Sequence, residues 1–130
     1  GAAGGLGYGV MTFFGGRIES GFDTIAELTG LAGAIAAADL VVTGEGRLDA
    51  QTGAGKAPAG VARLARAAGK PVIALAGSVP LTKGQPSGFD AIVSVSPETM
   101  SLEHAMLNAG PLLEEAAADT ARRLRHHDLL

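Results

Sequence analysis

Glu45, Arg47, Asp49 and Lys56 fall within a dozen residues of one another, set among Gly44, Gly46, Gly53 and Gly55. Paired carboxylates can hold Mg²⁺ through one or two oxygens, or accept a proton from a substrate hydroxyl. An arginine and a lysine can neutralise a phosphate in transfer. Pro58, just beyond, suits the first position of a helix, whose positive dipole end would face the same place. These parts fit phosphoryl transfer better than hydrolysis, because no His or Ser lies close in sequence to form a nucleophile–base pair. They also fit a plain structural turn, with Glu45 ion-paired to Arg47 and Asp49 closing it by Asx-type bonds. Spacing alone leaves both readings open.

The familiar nucleotide motifs are absent. Aligning Gly55-Lys56 with the G-K of a P-loop puts Ala50 where the first glycine belongs and Ala57 where a Mg²⁺-binding Ser or Thr belongs. The opening nonamer Gly1-Ala2-Ala3-Gly4-Gly5-Leu6-Gly7-Tyr8-Gly9 holds five glycines, enough for backbone N–H groups to approach an anion. Yet the dinucleotide pattern that Gly5 and Gly7 would begin fails at Val10. Gly4, Gly5 and Gly7 therefore stand as anion-binding candidates against an equal alternative, close helix packing. Ser78 is either a substrate contact or a loop cap. His104 is expected on an exposed helix side, and His126-His127 belong to a basic helix end that favours the dipole.

The elements that must position these residues read as follows. Leu6 to Phe14 is helical with Gly15-Gly16 as its stop, and Phe22 to Leu28 and Leu31 to Ala38 are two further short helices. Leu40 to Thr43 is an unalternated apolar strand, as in a parallel sheet covered on both faces. A helix from Pro58 ends at Gly69 before Pro71, and Val72 to Ala76 is a second buried strand. Val79 to Asp90 is a turn-rich loop, and Ala91 to Ser96 a third strand. Ser101 caps a helix from Leu102, Gly110-Pro111 breaks it, and a second piece runs from Leu112 to about Arg125. The pattern predicts an α/β fold, a three-layer sandwich with a mostly parallel sheet of flavodoxin or Rossmann type. Three strands are few for such a sheet, and the chain opens on glycine with no strand ahead of its first turn. The fold is therefore expected to be incomplete in this chain.

Composition excludes several classes. A net charge of −3 argues against a nucleic-acid backbone binder, and one tyrosine, four phenylalanines and no tryptophan argue against a base-stacking platform. The absence of cysteine removes disulfides, thiolate metal sites and thiol nucleophiles. No apolar run reaches the roughly 18–20 residues of a membrane helix, so the expected setting is cytoplasmic with no membrane partner.

These motifs resemble the bacterial glycerate kinases of the two-domain type. The likeness lies in the opening nonamer, in Ala38-Asp39-Leu40-Val41-Val42-Thr43-Gly44-Glu45-Gly46-Arg47-Leu48-Asp49, and in Gln51-Thr52 with Gly55-Lys56-Ala57-Pro58. It continues through Lys70-Pro71-Val72-Ile73-Ala74-Leu75-Ala76-Gly77-Ser78 and the helix with Ser101-Leu102-Glu103, Ala105 and Asn108-Ala109. The resemblance implies ATP-dependent phosphorylation of glycerate with Mg²⁺, giving 2-phosphoglycerate. Members of the family are much longer, so residues 1–130 would form one α/β unit, the C-terminal part of a two-domain kinase. Missing N-terminal segments or a second chain would then complete the site. On this reading Glu45, Arg47, Asp49 and Lys56 are the catalytic candidates, Asp49 as metal ligand or base and Lys56 on phosphate. Gly4, Gly5, Gly7, Gly44, Gly46 and Ser78 are the cofactor-binding candidates. Two other functions fit the same residues: a non-catalytic nucleotide-binding or assembly module, and a kinase of another small hydroxy acid.

Overall fold

The computed structural model describes residues 2–48, 57–79, 87–126 and 129. After a short 3₁₀ turn at Ala2–Gly5 come helices α1 (Leu6–Phe14), α2 (Gly21–Leu28) and α3 (Leu31–Ala37). Strand β1 (Val41–Arg47), helix α4 (Ala57–Ala67) and strand β2 (Val72–Ser78) form a right-sized strand–helix–strand unit. Strand β3 (Ala91–Ser94) and helices α5 (Leu102–Leu107) and α6 (Ala109–Arg125) follow. The described strands make one parallel sheet in the order β1-β2-β3. Helices cover both faces, so the expected α/β architecture with a parallel sheet is present.

Local chemistry sets most element ends. The Ser20 hydroxyl accepts from the Asp23 N–H at 3.3 Å and starts α2, and Ser101 does the same for α5 through the His104 N–H. At the end of α4 the Lys70 N–H reaches the Ala65 carbonyl at 2.9 Å and the Gly69 N–H reaches Arg66 at 3.0 Å. Gly69 sits at φ +65°, so this is a Schellman stop that glycine adopts without strain. Pro71 then forbids further helix, and its carbonyl accepts the first β1–β2 bond from the Val41 N–H at 2.9 Å.

The core lies between the sheet and α3–α4. Ile35, Val41, Ala62, Ala65 and Val72 are buried together, with Phe89 closing the side. Alanines at 62 and 65 let α4 approach the strands closely, and Gly60 lets α2 cross it, since a β-carbon there would strike the Phe22 ring. Beside that crossing Arg63 and Asp23 pair at the surface, where an ion pair contributes little. Asp90 fixes the entry to β3: its Oδ2 accepts the Val72 N–H at 2.8 Å, while Arg66 reaches Asp90 and the Gly88 carbonyl. By strand alternation Val42, Gly44 and Gly46 lie on the opposite face from Val41, the face that carries α6. Among the described residues no helix is long and apolar enough to cross a membrane.

Four boundaries differ from the sequence expectation. β1 does not stop at Thr43 but runs through Gly44-Glu45-Gly46 to Arg47, and β2 runs through Gly77-Ser78. Glycine punctuated the pattern like a turn, yet here its missing β-carbon permits the ladder. A β-carbon on Gly44 would lie 2.6 Å from the Leu75 carbonyl oxygen, and one on Gly77 2.5 Å from that of Gly46. The break between α5 and α6 falls at Asn108 rather than at Gly110-Pro111. The proline ring would clash with the carbonyl four residues back, at Leu107, so the preceding helix ends there and Pro111 sits in the first turn of α6. β3 is assigned only to Ser94, although the Val95 N–H still reaches the Ala76 carbonyl at 2.7 Å.

A paired substitution checks the ladder. Gly44→Ala is expected to lower unfolding stability by about 1–3 kcal/mol through forced separation of β1 from β2. Gly46→Ala, whose β-carbon would meet nothing within 4 Å, is expected to stay within about 1 kcal/mol of the parent. Urea titrations followed by circular dichroism distinguish the two.

Candidate functional site

In a parallel sheet all strands end at one edge, and ligands of open α/β folds lie outside that edge. The ends of β1 and β2 bring three of the expected residues together. Glu45 is in register with Ala76 and Arg47 with Ser78, so Glu45, Arg47 and Ser78 share one face at the edge. Both charged residues thus ride on a strand held by ladder bonds, a more rigid mounting than a turn. Glu45 is half-buried with its Oε2 shielded from solvent, while Arg47 is exposed. Leu48, fully buried directly after β1, anchors the chain as it leaves the sheet. The Leu48 N–H donates to the Ser78 carbonyl at 3.0 Å.

The opposite face of the same strand ends forms a cleft of about 460 Å³. Val42, Gly44, Gly46, Leu75 and Gly77 make its floor, Val95 its side, and Ala109 and Leu113 of α6 its far wall, while Thr43 and Glu45 of β1 also line it. Three glycines leave bare backbone there, so a flat or anionic group can come close to the sheet. Gly77 is held from below: the Ser96 hydroxyl donates to its carbonyl, and the Ser96 N–H reaches the same oxygen at 3.3 Å. Sequence reasoning missed this cleft because its wall comes from residues distant in the chain. One signal was available, since Gly44 and Gly46 alternate along a strand and strip one face of side chains.

The other expectations fall elsewhere. Asp49 and Lys56 lie outside the described residues. Gly4 and Gly5 adopt positive φ of +63° and +86° in the opening turn, and Gly7 lies in α1 beside Ile18. None of the three lines the cleft, and α1 packs chiefly on that turn. His104 is exposed on α5, where its carbonyl accepts the Asn108 side-chain amide at 2.9 Å. Among the described residues no three His, Cys, Asp or Glu side chains cluster as a metal cage. Mg²⁺ usually takes only one or two carboxylates and completes its shell with water and phosphate oxygens. The Glu45 carboxylate at the sheet edge is compatible with such a site.

Ser96→Ala removes a side-chain hydrogen bond under the cleft floor. The expected loss is about 0.5–1.5 kcal/mol of stability, together with faster amide exchange at the end of β2, read by hydrogen-exchange mass spectrometry.

Comparison with known proteins bears on this edge directly. The model of the glycerate kinase family matches residues 1–125. A glycerate kinase of Halalkalibacterium halodurans is 44% identical over 125 residues, covering 93% of this chain and 32% of the relative. The Bacillus subtilis glycerate kinase is 39% identical, over 96% of this chain and 33% of its own length. The Escherichia coli glycerate 2-kinase is 38% identical, over 95% and 33% respectively. A crystallised Salmonella typhimurium LT2 protein assigned as glycerate kinase 2 superposes with a TM-score of 0.74 at 38% identity, covering all of this chain and 33% of that one. The chain thus spans about a third of the length of the relatives it matches.

Proposed function

The chain belongs to the glycerate kinase family, and we propose that it supplies one wall of a site that transfers the γ-phosphoryl group of ATP to glycerate, giving 2-phosphoglycerate. In this reading residues 1–130 are the C-terminal part of a two-domain kinase, and the other wall comes from segments or a second chain outside them. The carrying observation is the juxtaposition of Glu45, Arg47 and Ser78 on the C-terminal edge of a parallel sheet, within a stretch matched to named glycerate kinases. The name of the Escherichia coli relative supports the 2-hydroxyl as acceptor. A cytoplasmic setting, where ATP is plentiful, accords with this reading.

The chemistry asks little of the protein beyond positioning and charge. A bond forms between a glycerate oxygen and the γ-phosphorus, the bond to the β–γ bridging oxygen breaks, and ADP leaves. The hydroxyl proton passes to a carboxylate, for which Asp49 is the candidate. Arg47 and Lys56 balance the charge that spreads over the transferring oxygens. Asp49 and Glu45 are the carboxylates that would hold Mg²⁺, which would supply charge withdrawal from the phosphate. Ser78 and the backbone of Gly44 and Gly46 serve to seat the nucleotide or acceptor. Gly4, Gly5 and Gly7 remain candidates for a phosphate contact made with the completed protein.

A coupled assay for ADP formation on a family-length protein containing this chain tests the reading. Glycerate-dependent turnover is expected, and its absence refutes the assignment. Asp49→Asn and Lys56→Ala are each expected to lower kcat about 10²-fold or more, while the isolated 130 residues turn over far more slowly than the completed protein.

A further inference from the structure

Among the described residues β1 is an edge strand, and its first four residues lack the features that protect edges. Among the described residues it pairs on one side only, with β2. Edge strands normally carry lysine, proline or charge, or are very short. β1 has seven residues, and Val41 to Gly44 hold none of these. α6 packs chiefly on β2 and β3, so the α6-side face of β1 is left open as the floor of the cleft. Val42 on that face is 54% exposed, whereas Ile73 in the adjoining strand is fully buried. A parallel strand is ordinarily covered on both faces.

α1 has the same incompleteness. It contains no charged residue, and none of its residues is buried. Leu6, Tyr8, Met11, Phe13 and Phe14 range from 46% to 83% exposed. Isolated helices of nine residues are marginal in water, and a charge-free one gains its stability from packing. An exposed strand edge and an apolar helix, both in a chain spanning a third of its relatives' length, call for the same kind of partner.

From this we infer that the outer edge of β1 and the apolar face of α1 form the interface for the rest of a glycerate-kinase-length polypeptide, joined to this chain or separate from it. That partner adds a strand beside β1 and covers Val42, which makes β1 an interior strand. A second copy of this chain is a poorer fit. In the usual edge-to-edge dimer β1 would pair antiparallel with its copy, breaking the parallel order of the sheet. The inference rests on the reading of this chain as part of a larger kinase, and not on the reaction assigned to it.

The test mixes the 130-residue chain with the remaining two-thirds or so of the Bacillus subtilis glycerate kinase, the part that it does not match. Light scattering is expected to show a one-to-one complex. Amide exchange across Val41–Arg47 and Leu6–Phe14 is expected to slow about ten-fold or more on binding. Val42→Asp and Phe13→Asp each change an exposed side chain, so the fold should persist by circular dichroism while binding weakens about ten-fold or more. A single polypeptide in which this chain replaces the matching third of the Bacillus protein provides the same exchange measurement without requiring assembly. Unchanged exchange at β1 and α1 in both formats overturns the inference. Protection of the same segments by self-association of the chain alone also overturns it. Neither ATP nor glycerate enters these measurements, so a complex that forms without glycerate turnover refutes the proposed reaction and leaves the interface standing.

Discussion

The ends of β1 and β2 lie so close that a side chain at the contact would force them apart. Gly44 faces the Leu75 carbonyl and Gly77 faces that of Gly46, each at a separation that a β-carbon could not share. Most of what the sheet edge can do depends on this approach. It extends the ladder past Thr43, so Glu45 and Arg47 project from paired backbone. It sets Ser78 beside Arg47, and on the other face it leaves the glycine floor of the cleft. Ser96 and Val95 then tie β3 to the same stretch of β2, so the three strands end as one unit.

Much of this was legible in the sequence where the signal is local. Ser101 as a cap, Gly69 as a stop and the unalternated Val72 run each produce their effect within a few residues, so α5 starts at Leu102, α4 stops before Gly69 and β2 starts at Val72 as expected. The errors arose where a distant contact decided the outcome. Gly44 and Gly46 look like a turn until β2 is placed beside them, and then they look like a strand that needs them. Pro111 marks a discontinuity, but the clash it creates lies one turn earlier, so the break moved to Asn108. The grouping of Glu45 with Arg47 was readable from their closeness in sequence, whereas the alternation that puts both on one face depends on the extended ladder. The cleft on the reverse side was not, since α6 reaches it only through the fold.

The two faces of the sheet edge divide the work. One presents charge, from Glu45 and Arg47, over a core of small apolar residues in which Ala74 and Ala76 allow tight packing. The other presents glycine backbone framed by Val42, Leu75, Val95 and Leu113, with Glu45 as the charged residue that also lines it. A phosphoryl-transfer site needs both kinds of surface, since the reacting oxygens require cations and a nucleoside requires apolar walls. Family membership gives this division a meaning that neither face carries by itself.

Asp90 has one more consequence. Its carboxylate accepts the first N–H of β2 and meets Arg66 of α4, so the far end of the segment joining β2 to β3 is fastened to two elements of the core. The entry to β3 is thereby independent of the length of that segment. Lengthening a connection whose ends are already fixed costs only about 0.6 kcal/mol per doubling. The start of β3 is therefore placed by the core elements that hold Asp90, and not by the chain that leads into it.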